Sequence, residues 1–134
     1  MARPLGKATR QAYGDALLEV GELYPNAVVL DGDLSKSTMT KGFAAKYPER
    51  FFNMGIAEAN MAGVAAGMST AGKIPFASSF ACFLMSKGYD QLRLAVAYSE
   101  SNVKIVTTHS GISIGEDGVS QMSVEDVAQA VALP

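Results

Sequence analysis

The chain has 134 residues, of which 49% are hydrophobic and 18% charged, and its formal net charge is −2. That size and balance fit one globular domain, or part of one, able to bury a real core. The pI near 5.3 and the lack of a basic run exclude a nucleic-acid footprint, while single Cys82 and single His109 exclude an internal disulfide and a Cys/His zinc centre.

The N-terminus, MARPLGKATR, has no apolar signal-peptide core, so a reduced, cytoplasmic protein is expected. Residues 8–24 carry Ala12, Ala16, Leu17, Val20 and Leu23 at helical spacing, with Thr9 as the expected N-cap and Pro25 as the stop. AVVLDGD, residues 27–33, reads as a short buried strand that opens into a polar loop. A second helix is expected over 39–46, before Pro48. Next come a strand over 51–55 and a helix rich in small residues over 56–70. The low-charge stretch 51–72 is long enough to cross a bilayer, but Asn53, Glu58, Asn60 and four glycines argue for a strand and a tightly packed helix inside a protein. KIPFASSF, residues 73–80, gives another strand, with Pro75 at its start or on an edge. Residues 83–98 read as a helix with Asp90 and Arg93 poised for an ion pair, and 103–110 as a fourth strand. A Gly-rich loop follows, then a last helix opened by a capping box from Ser123 to Asp126.

Apolar strands alternating with helices predict a parallel sheet covered on both faces, a three-layer α/β/α sandwich with four strands. No repeat, linker or low-complexity tract interrupts the 134 residues, which read as a single domain. In such sheets ligands collect at the carboxyl ends of the strands. That rule selects four loops: 31–37, 55–58, 78–83 and 109–121.

Glu58 is the only charged residue between Arg50 and Lys73. An acid in the first turn of a helix is favoured by the helix dipole. The Ala- and Gly-rich surroundings add a second reading, a carboxylate kept dry for sharing a proton. Asp31 and Asp33 fit turn formers or helix caps as well as site residues. Phe80 and Phe83 fit a core as well as a ligand platform, and His109 fits a structural bond as well as a site. The loop SGISIGEDGVSQ has no phosphate-loop motif and no calcium-loop spacing. Cys82 reads as a small buried hydrophobe.

Taken in order, KATRQAYGDAL, VVLDGDLSKST, RFFNMGIAEANMAGVAAGM, KIPFASSFACF, GYDQLR and KIVTTHSGISIGEDGVSQMSVED resemble the pyrimidine-binding portion of transketolase. The resemblance runs from about Lys7 to the end and is greatest to the C-terminal subunit of transketolases made as two chains. Deoxyxylulose-phosphate synthase and the β subunits of 2-oxoacid dehydrogenases share the Glu motif but fit HSGISIGEDG less well. The resemblance implies the thiamine diphosphate-binding fold and a transferase that moves a two-carbon ketol unit between sugar phosphates. It implies that Glu58 hydrogen-bonds N1′ of the cofactor's aminopyrimidine and so acts as the acid–base residue. Phe80 and Phe83 would pack the pyrimidine, Asp33 would lie near the thiazolium, and His109 and Asp117 would contact sugar hydroxyls. Gln121 stands where many members have His and is expected at the substrate.

The same resemblance implies two further strands and a C-terminal domain beyond this stretch, and a cofactor diphosphate held through Mg²⁺ by a separate domain with a G-D-G motif. Asp31-Gly32-Asp33 belongs to a different motif, so no metal ligand is assigned here. The expected protein is a subunit of a homo- or hetero-oligomer, active with a diphosphate-binding partner and independent of membrane or nucleic acid. The alternatives are a shortened, non-catalytic relative with a folding or assembly role and, from the fold alone, a flavodoxin-like binding domain.

Overall fold

The computed structural model describes residues 5–134; residues 1–4, the start of the segment inspected for a signal core, lie outside them. The strands are β1 (Ala27–Asp31), β2 (Phe51–Asn53), β3 (Ile74–Phe80) and β4 (Lys104–Thr108). They form one sheet in the order β2-β1-β3-β4, and every pairing is parallel. All five residues of β1 are buried, as befits a central strand whose first four residues are apolar.

Side chains alternate across the sheet and select different helices. On one face, α1 (Thr9–Leu23) and α3 (Lys41–Lys46) bring Leu17 and Phe43 onto Val29, with Tyr13, Tyr47, Phe51 and Phe76 packed around them. On the other, α4 (Glu58–Thr70) and α5 (Ala81–Lys87) set Met61, Ala62, Ala65 and Leu84 against Val28, Leu30 and Ala77. The three-layer α/β/α arrangement with four parallel strands is therefore present. No helix among the described residues is long and apolar enough to cross a membrane.

Several boundaries differ from the sequence reading. Thr9 is the first helical residue of α1, and the cap position falls on Ala8 without a side-chain bond. The helix expected over 39–46 begins only at Lys41, as α3, and an unexpected short helix, α2 (Ser35–Thr38), precedes it; Met39, with a left-handed φ of 67°, separates the two. Pro75 is the second residue of an interior strand, so the start reading holds and the edge reading does not. The helix expected over 83–98 becomes α5, the short α6 (Tyr89–Gln91) and a π-helical segment, Leu92–Tyr98. Gly88 divides α5 from α6 for a packing reason: a Cβ there would lie 2.7 Å from the Leu84 carbonyl and 3.4 Å from the Glu58 carbonyl. The chain thus turns directly against the start of α4. The Asp90–Arg93 ion pair forms at 3.0 Å.

The capping box is absent. Ser123 Oγ is buried without a partner, and α7 (Asp126–Val131) begins at Asp126, whose carboxylate accepts from Ser110 Oγ. The Ser123 backbone instead pairs with Gly111 in an antiparallel bridge, which closes the loop after β4.

Candidate active site

The strands all point the same way, so the loops after them gather at one end of the sheet. Glu58 opens α4 there, immediately after the β2 loop. Its side chain is 1% exposed in spite of its charge. Oε2 accepts a hydrogen bond from Lys87 Nζ at 3.0 Å, and Oε1 is buried with no partner. A buried carboxylate oxygen without a donor is costly and calls for a partner. Ser79 Oγ, at the end of β3, is likewise buried without a partner. A Cβ placed on Gly32 would lie 3.1 Å from Ser79 Oγ and 3.7 Å from Glu58 Oε1. Glycine at the end of β1 thus leaves space beside two oxygens that both lack hydrogen bonds.

Aromatic rings continue the site from Lys87. Its Nζ lies 4.5 Å from the Phe83 ring centre, a cation–π distance. Phe83 stacks on Phe80 with centroids 5.6 Å apart and planes 13° from parallel. Phe80 in turn meets the His109 ring at 3.9 Å, and Thr108 Oγ1 lies 2.8 Å from His109 Nδ1. Burial, with the nearby Arg10 charge as the second cause, holds the His109 imidazole below its usual pKa. Glu58, Phe83, Phe80 and His109 are therefore linked through direct contacts, with Lys87 between the first two. The core reading holds for Phe80, which packs in a small core with Cys82 and Ile114, while Phe83 is only half-buried. Cys82 is buried, as expected, and burial pushes its thiol pKa up.

Asp33 is exposed on the β1 loop with a left-handed φ of 66° and accepts from Asn53 Nδ2 at 2.8 Å. Its neighbour Asp31 is the structural acid: fully buried, it accepts from the Leu34 amide and from the hydroxyls of Thr38 and Thr40. Asp117 is exposed and lines a cleft of about 800 Å³ together with His109, Ser37, Tyr13 and Arg10. Gln121 is not brought to that cleft. Its amide oxygen takes the Ser120 hydroxyl, and its backbone carbonyl accepts from Cys82 Sγ at 3.3 Å. No group of three His, Cys, Asp or Glu side chains among the described residues is placed to hold a metal ion.

Sequence reasoning missed Lys87, Ser79 and Arg10. Lys87 was within reach, because it lies one helical turn after Phe83 and shares its face. Ser79 lay inside the selected loop 78–83 without being singled out, and Arg10 lay outside all four loops; the tertiary fold sets one beside Glu58 and the other across from His109.

The family model for the transketolase pyrimidine-binding domain matches residues 6–134. A transketolase C-terminal section from Methanocaldococcus jannaschii is 54% identical over 128 residues, covering 96% of this chain and 40% of that protein. Human transketolase is 44% identical over 128 residues, covering 95% of this chain and 20% of that protein. Among solved structures, a split-gene transketolase described as an inactive β4 tetramer superposes with a TM-score of 0.82 at 54% identity, over 97% of this chain and 41% of that one. Campylobacter jejuni transketolase superposes with a TM-score of 0.88 at 25% identity, over 99% of this chain and 22% of that one. The chain thus spans about two fifths of the split relatives and about one fifth of the long ones. A buried, half-satisfied glutamate at the mouth of a parallel sheet and a family match along nearly the whole chain agree: this chain belongs to the transketolase pyrimidine-binding domain family.

Proposed function

We propose that residues 1–134 act as one pyrimidine-binding unit of a thiamine diphosphate-dependent transketolase, a transferase of two-carbon ketol units between sugar phosphates. The observation that carries this reading is Glu58 Oε1, a buried carboxylate oxygen with no partner of its own. That oxygen fits a ring nitrogen that shares a proton, the group that an aminopyrimidine presents. When bound, the cofactor supplies a nucleophilic carbon that carries the transferred unit.

This chain's residues have the remaining tasks. Glu58 holds the proton at the ring nitrogen, in a site dry enough to make that bond strong. Phe83 offers its ring face to the pyrimidine, and Phe80 stacks behind Phe83 and keeps it in place. Asp33, on the loop beside Gly32, faces the thiazolium side. His109 and Asp117 bond sugar hydroxyls in the cleft, and Arg10, which also lines it, suits the sugar's phosphate. Gln121 reaches substrate only if its amide leaves Ser120.

The described residues form no metal site, so Mg²⁺ and the diphosphate would be held by a diphosphate-binding partner subunit in a cytoplasmic homo- or hetero-oligomer. A solved relative that is an inactive tetramer of β chains fits this need for a partner. The test is ketol transfer by the chain assembled with that subunit. In Glu58→Gln, kcat should fall about 10²- to 10⁴-fold, the range for loss of a positioned acid–base group. Full activity in that variant would overturn the proposal.

A further inference from the structure

Lys87 touches both side chains that the proposed function assigns to the pyrimidine. It ends α5, and its ammonium sits between two surfaces of different chemistry. One is Glu58 Oε2 at 3.0 Å, the other the Phe83 ring with its centre 4.5 Å away. The partners differ sharply in hydration: the Glu58 side chain is 1% exposed and the Lys87 side chain 47%. An ordinary surface ion pair contributes little, because water competes for both ends. Here the carboxylate has no such alternative, and among the described residues no other cation pairs with it.

The backbone fixes this geometry as well. Gly88, the next residue, has no Cβ where one would lie 3.4 Å from the Glu58 carbonyl, so α5 ends in contact with the start of α4. Phe83 and Lys87, four residues apart on α5, share a helical face.

We propose that Lys87 is the positioning residue of this site. By fixing Glu58 Oε2, its ammonium turns Oε1, the oxygen left without a partner, toward the ligand's ring nitrogen. This inference rests on the proposed function, with Lys87 acting through Glu58.

The test uses the chain assembled with its diphosphate-binding subunit and thiamine diphosphate as the probe. Calorimetry gives its Kd, steady-state kinetics give kcat and the sugar-phosphate KM, and a circular-dichroism melt confirms that each variant is folded. Lys87→Met, an uncharged side chain of similar shape, should weaken thiamine diphosphate about 10-fold, a loss of about 1.4 kcal/mol, with the sugar KM unchanged. Lys87→Arg, which keeps the charge over the ring, should restore the affinity to within about 3-fold of the native complex. In the Glu58→Gln background, Lys87→Met should leave Kd unchanged, because there is no charge left to position.

Native affinity in Lys87→Met, equal losses in the Met and Arg variants, or an undiminished effect in the Glu58→Gln background would each overturn the inference. The outcomes separate it from the reading beneath it. If Glu58→Gln cripples binding and Lys87→Met does not, only the positioning role fails. If Glu58→Gln changes neither binding nor turnover, the proposed function fails with it.

Discussion

Asp31 offers a test of the loop that carries Gly32 and Asp33 into the site. It is fully buried, Oδ1 accepts from the Leu34 amide at 2.6 Å, and Oδ2 accepts from Thr38 Oγ1 at 2.7 Å and Thr40 Oγ1 at 2.8 Å. Asp31→Ala removes all three acceptor contacts. Thr38 keeps an alternative in the Leu34 carbonyl at 3.2 Å, and Thr40 can turn to Thr38 at 3.2 Å, but the Leu34 amide has no substitute acceptor. Bonds to a charged acceptor contribute about 1.5–3 kcal/mol each, which places the gross loss above about 4 kcal/mol. The desolvation of a buried carboxylate offsets part of this, so the expected net loss is about 3 kcal/mol. Asp31→Asn keeps an oxygen for Leu34 and a donor for one hydroxyl, so its loss should be about 1 kcal/mol.

Urea unfolding followed by far-UV circular dichroism measures both. With a slope of about 1.5 kcal/mol per molar, the midpoint should fall by about 2 M in Asp31→Ala and by under about 1 M in Asp31→Asn. The pH dependence provides an independent check. Burial, only partly opposed by the three hydrogen bonds, raises the Asp31 carboxyl above its usual range. The folded chain then binds that proton more readily than the unfolded chain, so this contribution to stability falls as pH rises through the window above the ordinary carboxylate pKa, about 3.9. The deficit of Asp31→Asn should therefore be greatest near the acid end of that window and smaller at neutral pH. Equal losses in the two variants, or a deficit that grows with pH, would refute the role of Asp31 as the buried anchor of the loop.

Two more predictions address the packing beneath the site and the ring at its edge. Gly21→Ala would place a Cβ 2.4 Å from Tyr47 Cε2 and 2.8 Å from Phe43 Cε2, where Arg50 stacks on Tyr47 at 4.0 Å and blocks its retreat. Overpacking should outweigh the helix-propensity gain and lower stability by about 1–2 kcal/mol, and an unchanged urea midpoint would count against the packing argument. For His109 the folded pKa is depressed, so the folded chain binds a proton less readily than the unfolded one. Its contribution is fully present above the ordinary pKa of about 6.5 and is lost as pH falls through the folded value. Melting temperatures between about pH 5 and 8 should depend less on pH in His109→Gln, and an identical slope would refute the assignment.

The order of elements needed only the sequence. Apolar runs such as AVVL have no exposed face to offer, so they had to form buried parallel strands, and the helical spacing of Leu17 and its neighbours fixed α1. The isolation of Glu58 in an apolar stretch was also visible in one dimension, because a charge there needs a reason wherever the chain folds.

The finer breaks were not legible. Met39 turns left-handed where it packs against Gly14, and Gly88 breaks a helix where its backbone lies against both Leu84 and the distant Glu58. The capping-box motif at Ser123 lost to a backbone bridge with Gly111 across the loop. Most of the site has the same character. Lys87 meets a carboxylate 29 residues away, Ser79 near the end of β3 lies beside the glycine that follows β1, and Arg10 faces His109 across the cleft. The sequence by itself determined which residue carries the unexplained charge. Tertiary packing decided which oxygen of that charge is neutralised and which is left free, because that depends on distances between elements that the chain order does not specify.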